Sequence, residues 1–363
     1  MGGLELLEDV PLAPFTTLGL GGPARYYVRA TERGHVVAAA RWAAARGLPL
    51  LVLGGGSNVV VADEGFPGLV LHLALSGVEA RLDDSAAVVT VAAGEEWDAL
   101  VERTVAEGWA GFECLSGIPG LAGATPIQNV GAYGQEVSET VATLEALELS
   151  TGQVRRFGNA DCGFGYRQSR FKGADRGRYV ILEVTYRLSP GGSPAVRYPE
   201  LDRHLSEAGC AHPTLRDVRA AVLAIRRRKS MVLDPADPNT RSVGSFFMNP
   251  VVTAGRLAEI AEAERRRGPL PDGLPSFRVP HGAKVPAGWL IERAGFARGL
   301  RRGGVGISDR HTLALVNRGG GTARELLALA GEIRDRVRER FGILLEPEPV
   351  LVGPQPLDRR PAP

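Results

Sequence analysis

A run of three glycines between two hydrophobic stretches constrains this chain more strongly than any other feature. The run and its polar end comprise Gly54, Gly55, Gly56, Ser57 and Asn58. Because Leu50–Leu53 before it and Val59–Val61 after it are short β-forming stretches, the glycines connect strand to strand and do not open a helix. A dinucleotide fingerprint needs GxGxxG at the start of a helix and an acidic residue about 20 positions later. The spacing therefore excludes a Rossmann fold and leaves two alternatives, a tight β-turn or a nest of backbone N–H groups that holds a phosphate.

A second glycine-rich segment, residues 115–136, shows no hydrophobic periodicity. Loops of this length are usually functional or disordered, and the small number of charges here argues against disorder. Its small side chains leave the backbone bare, and its amide side chains suit a polar heterocycle. Two such loops in one chain favour a dinucleotide-like ligand over two irregular turns. The residues that we assign to this ligand are Ser116, Gly117, Ile118, Pro119, Gly120, Gly123, Ala124, Gln128, Asn129, Gly131, Ala132 and Tyr133.

Composition and charge exclude several classes of protein. The chain has 43 basic and 41 acidic residues, and this near balance argues against a protein that coats nucleic acid. Its three cysteines and six histidines show no metal-ligand spacing, so we predict neither a metal site nor a disulfide scaffold. The first ten residues lack the basic stretch of an export signal, and no apolar run approaches the ~20 residues that span a bilayer. We therefore expect a cytoplasmic protein without a nucleic-acid or membrane partner.

The pattern of helices, strands and loops predicts three α+β units and a loose C-terminal tail. The first unit covers residues 6–74, and the second, which is mostly strands, covers 75–213. The third covers 214–352 and contains several amphipathic helices, while 353–363 is the tail. No internal repeat is visible in the sequence.

Two of the predicted helices carry explicit start signals. Thr214 and Asp217 form a capping-box pattern before a helix over 215–229. Thr322 and Glu325 form the same pattern before a helix that ends at Phe341, where a glycine follows.

Six short motifs occur in a fixed order between about residue 15 and residue 352. They are GGGSN at 54–58, SGIPGLAGA at 116–124, IQNVGAYGQE at 127–136, GYRQSRFK at 165–172, GSFFMNP at 244–250 and LEPE at 345–348. In content and order the set resembles the UDP-N-acetylenolpyruvoylglucosamine reductases, the flavoenzymes that complete UDP-N-acetylmuramate synthesis for bacterial peptidoglycan. One motif would be weak support, whereas six in order over nearly the whole chain are strong.

The resemblance implies the fold and the cofactors. It implies a vanillyl-alcohol-oxidase-type (PCMH-type) FAD-binding region in two parts, formed by the first two units, and a C-terminal α+β domain for the substrate. FAD is expected to bind non-covalently, because no motif marks a His or Cys that tethers it, and NADPH is expected to reduce it. We also expect a monomer whose only partners are small molecules, among them the UDP-sugar.

The resemblance also implies three catalytic residues. Arg167 matches the family position that faces the substrate carboxylate, and a guanidinium suits bidentate carboxylate recognition. Ser245 matches the proton donor, a role that a hydroxyl can fill only towards a very basic, enolate-like centre. Glu348, the second acid of LEPE, matches the catalytic glutamate, although Pro349 after it predicts an edge strand or a bulge and leaves Glu346 as an alternative.

Four further positions match substrate-binding residues of the family. Tyr198 lies in the extra segment 191–201, which is typical of the longer family subtype and is expected to cover the ligand. Lys229 matches the lysine near the UDP-sugar diphosphate and the nicotinamide site, and Tyr166 and Asn249 complete the set. This chain departs from the family pattern at two other positions, with Met248 where a lysine is common and Arg293 where a neutral amide is expected.

Two other functions remain open from the sequence. One is a different flavin oxidase or dehydrogenase with the same FAD fold, which would need a different third unit and a different substrate-facing base. The other is a nucleotide-sugar or flavin sensor that has lost the chemistry, and the retention of Arg167, Ser245 and Glu348 argues against it.

Overall fold

The computed structural model describes residues 4–83, 85–270 and 273–353. These residues form two compact units that interleave along the chain. Unit 1 contains the residues up to 15, 23–57 and 65–233, and unit 2 contains 16–22, 58–64 and the residues from 234 onwards.

Strands outnumber helices in the described residues. The first ten strands are β1 (Leu7–Pro11), β2 (Pro23–Ala30), β3 (Leu50–Leu53), β4 (Val59–Val61), β5 (Phe66–Leu73), β6 (Val78–Leu82), β7 (Ala87–Ala92), β8 (Trp109–Ala110), β9 (Gly131–Ala132) and β10 (Gln135–Glu136). They are followed by β11 (Val141–Glu148), β12 (Val154–Gly158), β13 (Tyr179–Pro190), β14 (Val251–Val252), β15 (Phe277–Val279), β16 (Gly282–Lys284), β17 (Arg301–Arg302), β18 (Val305–Ile307), β19 (Leu315–Asn317) and β20 (Val350–Val352). The α-helices are α1 (Arg33–Ala44), α2 (Trp97–Ala106), α3 (Pro199–Glu207), α4 (Leu215–Arg228), α5 (Ala254–Arg267), α6 (Ala287–Arg293) and α7 (Ala323–Phe341).

Unit 1 contains two large sheets, and one hydrophobic cluster combines side chains of both. The first sheet has the order β1-β2-β5-β3, in which β5 runs parallel to both β2 and β3. Helix α1 makes the crossover and buries Val36, Ala39, Ala40 and Ala43, which the 3.6-residue period places on one face. The second sheet is antiparallel, in the order β12-β11-β13-β7-β6. Helix α2 buries Trp97 in its core.

Unit 2 is built around helix α7 and several short sheets. Eight side chains of α7 are buried, and its start is fixed as predicted by a capping box between Thr322 and Glu325. Strand β4 belongs to this unit because it pairs in parallel with β20. The glycine run therefore joins a strand of unit 1 to a strand of unit 2, which confirms the predicted strand-to-strand connection.

The compact units differ from the predicted division of the chain. Helix α4 was assigned to the C-terminal unit 214–352, but Val218, Val222 and Ile225 pack with Leu201 and Leu205 of α3 in unit 1. Changes in composition along the sequence cannot reveal such packing. The roles given to 6–74, 75–213 and 214–352 stay predictions, and the tail 353–363 lies, apart from Gly353, outside the described residues.

None of the described helices combines the length and the apolar character that a transmembrane span requires.

Candidate active site

The two glycine-rich loops of unit 1 lie directly against each other. A Cβ atom added at Gly55 would lie 2.9 Å from the Cα of Gly120, and one added at Gly120 would lie 2.8 Å from the Ser57 hydroxyl oxygen. Gly120 also has a φ of 119°, which side chains rarely adopt. The Ser57 hydroxyl donates to the Pro119 carbonyl at 3.0 Å. The glycines are therefore required for the contact, which creates one continuous stretch of bare main chain.

A partly buried ion pair holds the second loop in place. The Asp98 carboxylate accepts the Gly117 N–H at 2.6 Å and pairs with the Arg219 guanidinium at 2.7 Å. Burial raises the pKa of Asp98, but hydrogen bonds from Arg219 and from the Gly117 N–H outweigh it and hold the pKa below its ordinary value. On the opposite side Arg226 donates to the Gly117 carbonyl at 3.2 Å. Hydrogen bonds to both the N–H and the carbonyl of Gly117 therefore hold this loop in place.

Replacing Asp98→Asn should therefore destabilise unit 1. The amide cannot neutralise Arg219, and we expect the melting temperature to fall by about 2–4 °C, the effect of losing about 1 kcal/mol. A lowered pKa stabilises the fold above the unfolded value near 4, and this stabilisation is lost as the pH falls through the folded pKa. Thermal unfolding between pH 3 and pH 7 should accordingly show a weaker acid dependence in the variant. Glu102→Gln is the control, because Glu102 lies 3.9 Å from Arg219 and is 72% exposed; equal effects of both variants would contradict the assignment.

Arg167 occupies a tight turn in a conformation that side chains avoid. Gly165 and Gln168 exchange two backbone hydrogen bonds of 3.0 and 3.1 Å, and Arg167 between them has a φ of 54°. Its Nη2 donates to the Gly131 carbonyl at 2.7 Å, and its guanidinium lies 5.5 Å from the Tyr166 ring centroid. Glycine or asparagine normally fills such a position. An arginine held there at a conformational cost points to function.

Two tyrosines that the sequence assigned to different ligands contact each other. The rings of Tyr133 and Tyr198 lie edge to face with centroids 5.6 Å apart. Burial raises the pKa of Tyr133 to about 12 and also raises that of Tyr198. Both phenols therefore remain neutral and able to donate at physiological pH. Beside them, Lys229 pairs with Glu200 at 2.5 Å.

In unit 2 the structure brings the GSFFMNP and LEPE motifs together. Phe247 and Pro347 form an antiparallel bridge, and the Glu348 N–H donates to the Phe246 carbonyl at 2.9 Å. Ser245 follows Gly244, whose φ is 72°, and in the described part of unit 2 no hydrogen bond engages its hydroxyl. The pairing places the half-buried Ser245 one residue from the backbone contact with Glu348.

The two acids of LEPE differ in their exposure to solvent. Glu346 is exposed, whereas Glu348 is half-buried. Pro349 is buried and precedes β20, which pairs with β4 alone among the described strands. A proline before the first ladder residue costs no sheet hydrogen bond, so it does not disturb the segment that carries Glu348.

Several residues predicted to bind the cofactor use their polar groups within unit 1. The Ser116 hydroxyl donates to the Glu113 carbonyl at 2.7 Å. The Asn129 amide donates to Glu136 at 2.7 Å and to the Gly165 carbonyl at 3.0 Å. These side chains shape the loops, and their direct contact with a cofactor stays a prediction.

Two asparagines of unit 2 behave similarly. The Asn58 side-chain amide donates to the Glu348 carbonyl at 3.4 Å, and the Asn58 backbone carbonyl accepts the Val350 N–H at 2.9 Å. The Asn249 side-chain oxygen accepts the Ala287 N–H at 2.8 Å at the start of α6. Asn58 thus supports the segment of the candidate acid, a role that its place in the glycine run did not suggest.

A buried carboxylate that the motifs did not indicate contacts the predicted substrate segment. Glu113, 1% exposed, accepts the N–H groups of Gly111 and Ala195, both at 2.8 Å, and the Gln135 amide at 3.2 Å. The contact with Ala195 anchors the segment that carries Tyr198. A single acid in the apolar stretch before SGIPG was the signal that could have identified it.

Among residues 4–83, 85–270 and 273–353, no cluster of three or more His, Cys, Asp or Glu side chains could hold a metal ion.

Comparisons with known proteins place this geometry in a family. Residues 24–158 match an FAD binding domain, and residues 235–352 match the UDP-N-acetylenolpyruvoylglucosamine reductase C-terminal domain. The chain is 50% identical over 355 residues to the UDP-N-acetylenolpyruvoylglucosamine reductase of Thermobifida fusca, covering 95% of this chain and 98% of the relative. It is 49% identical to the enzyme of the same name from Streptomyces coelicolor, covering 96% of this chain and 91% of that enzyme.

A solved structure agrees with the sequence relatives. The crystal structure of UDP-N-acetylenolpyruvylglucosamine reductase from Thermus caldophilus has a TM-score of 0.63 and 25% identity, with coverage of 96% of this chain and 99% of that one. The fold is thus α+β, with a PCMH-type FAD-binding region and a reductase C-terminal domain, which confirms the predicted fold class and FAD. The C-terminal match argues against another flavin oxidase. The chain belongs to the UDP-N-acetylenolpyruvoylglucosamine reductases, the FAD-dependent oxidoreductases of peptidoglycan synthesis.

Proposed function

We propose that the protein uses NADPH to reduce the enolpyruvyl ether of UDP-N-acetylglucosamine to the lactyl ether of UDP-N-acetylmuramate. The double bond gains a hydride at its terminal carbon and a proton at the carbon that bears the carboxylate, and NADPH leaves as NADP⁺. Negative charge builds on the carboxylate side before the proton arrives. The reaction therefore needs a cation at the carboxylate, an acid near the carbanion and exclusion of water.

The glycine loops of unit 1 fit the demands of FAD. Their contact leaves a stretch of bare main chain, and backbone N–H groups can bind a pyrophosphate without a cation. When bound, FAD supplies a two-electron carrier that accepts hydride from NADPH and passes it to the double bond. We assign its non-covalent binding to the residues of the two loops that the sequence predicts.

The pairing of GSFFMNP with LEPE is the observation that carries the proposed mechanism. It places Ser245 and Glu348 on adjacent segments, with the Glu348 N–H on the Phe246 carbonyl at 2.9 Å. Ser245 would supply the proton, and the flanking Phe246 and Phe247, both buried, would help to keep water away from it. Glu348 would orient the substrate or relay the proton.

Arg167 would bind the substrate carboxylate throughout turnover. A guanidinium stays charged at all accessible pH values and offers two parallel N–H donors. Its left-handed backbone conformation sets the direction in which the side chain leaves the turn, and the hydrogen bond to the Gly131 carbonyl restricts the orientation of the guanidinium.

Anaerobic spectroscopy tests the proposed function. The purified protein should be yellow, lose its colour with NADPH and regain it when the enolpyruvyl UDP-sugar is added. A colourless protein that binds UDP-sugar, or a colour that the UDP-sugar does not restore, would contradict the proposal.

Replacing Tyr198→Ala should weaken substrate binding. The half-buried Tyr198 ring packs edge to face on Tyr133 and would cover the ligand. Its loss should remove about 1–2 kcal/mol of contact, which corresponds to about a tenfold rise in KM with a smaller change in kcat. Steady-state kinetics with varied UDP-sugar gives the measurement. Tyr179→Ala is not a suitable control because that ring packs on Phe157 in the core; Tyr26→Ala, on the first sheet, should leave KM unchanged. An unaltered KM in Tyr198→Ala would show that segment 191–201 does not cover the ligand.

A further inference from the structure

Glu200, in the predicted substrate segment, forms an ion pair with Lys229, the lysine that we assign to a nucleotide diphosphate. Glu200 Oε2 lies 2.5 Å from Lys229 Nζ, and the two side chains are 33% and 31% exposed. Glu200 lies in the first turn of α3, two residues after Tyr198, and Lys229 directly follows α4 as its C-cap. The ion pair therefore ties the end of the substrate segment to the candidate phosphate-binding group.

The groups around Glu200 are those that recognise phosphate. Its charge raises the pKa of both Tyr133 and Tyr198, after the larger effect of burial, so the carboxylate lies near both phenols. Arg226 and Arg228 act in the opposite direction on Tyr133. An ammonium, two neutral O–H donors and two nearby guanidinium groups form a typical environment for phosphate oxygens.

We propose that Glu200 is an internal counterion that occupies Lys229 until the diphosphate of a nucleotide displaces it. This inference rests on the proposed role of Lys229. A ligand must then bring enough negative charge to replace a carboxylate, so Glu200 lowers the affinity for nucleoside diphosphates and leaves the affinity for nucleosides without phosphate unchanged. The displaced carboxylate remains at the N-terminus of α3, where the helix dipole favours it.

Binding of UDP and uridine to the FAD-loaded protein tests the proposal. In Glu200→Gln, UDP should bind about three- to fivefold more tightly, a modest gain because solvent reaches the ion pair. Uridine should bind with unchanged affinity, and the gain should shrink as salt is added. Glu207→Gln removes the same charge from an exposed position of the same helix and should change neither affinity.

Lys229→Met separates the two proposals. This variant should bind UDP more weakly, and adding Glu200→Gln to it should bring no gain. Unchanged binding of both UDP and NADP⁺ in Lys229→Met would reject the proposed role of Lys229. Weaker binding there, without a gain in Glu200→Gln for any nucleotide, would reject the counterion alone.

A titration with NADP⁺ identifies the source of the diphosphate. A gain in Glu200→Gln with UDP assigns Lys229 to the UDP-sugar. A gain confined to NADP⁺ supports the counterion and assigns the lysine to the dinucleotide. The absence of a gain with either ligand overturns the proposal.

Discussion

Ser245→Ala should leave the reduction of the protein by NADPH nearly unchanged and greatly slow its reoxidation by the enolpyruvyl UDP-sugar. Only the second half-reaction needs a proton at the substrate carbon, so removing the hydroxyl affects that half alone. General-acid catalysis contributes about a hundredfold to ten-thousandfold, and we expect a loss in this range. Anaerobic stopped-flow absorbance follows each half-reaction separately.

The matched control for this experiment is Ser206→Ala. Ser206 is exposed on α3, and its loss should change neither half-reaction. Unfolding curves should also show that Ser245→Ala folds normally, because its hydroxyl makes no hydrogen bond within the described residues. An equal loss in both half-reactions would contradict the role of Ser245 as proton donor.

Arg167→Lys should be far more harmful than a conserved charge suggests. Lysine offers a point charge and loses the planar pair of donors that a carboxylate accepts. It also loses the Nη2 hydrogen bond to the Gly131 carbonyl, which holds the group in place. We expect kcat/KM for the UDP-sugar to fall about a hundredfold, or about 2.7 kcal/mol of transition-state stabilisation.

The same substitution should spare the step that does not involve the substrate. Reduction by NADPH should proceed at nearly the original rate in Arg167→Lys, and the melting temperature should change little because the turn is unaltered. Arg156→Lys, an exposed change on β12, is the control. Near-normal turnover with Arg167→Lys would assign the carboxylate contact to another residue.

Local features of the fold could be predicted because their causes lie within a few residues. Thr214 and Thr322 form the predicted capping boxes with residues three positions later. The glycine run connects strands because its flanks favour β-structure. In each case the physical cause is a short-range hydrogen bond or a backbone preference that the sequence displays directly.

Long-range pairings could not be predicted in the same way. The bridge between Phe247 and Pro347 and the parallel pairing of β4 with β20 join segments far apart in the chain. The pairing of β4 explains why residues 58–64 belong to unit 2. No periodicity reports such partners, because the partner of a strand is selected by packing.

Within the candidate site, motif resemblance identified residues but not their contacts. Nothing in the sequence indicated that Asp98 binds the Gly117 N–H or that Glu200 pairs with Lys229. Acidic side chains are common at helix starts, and only the fold shows which of them face a loop. The residues that hold a site in place are therefore harder to predict from sequence than the site residues themselves.

The most direct test of this account is a crystal structure with FAD and the enolpyruvyl UDP-sugar bound. We expect the Arg167 guanidinium to form two hydrogen bonds with the substrate carboxylate, and the Ser245 hydroxyl to lie about 3 Å from the carbon beside it. Glu348 should contact the same end of the substrate. A complex in which Arg167 and Ser245 touch different parts of the ligand, or in which either does not touch it, would contradict the proposed mechanism.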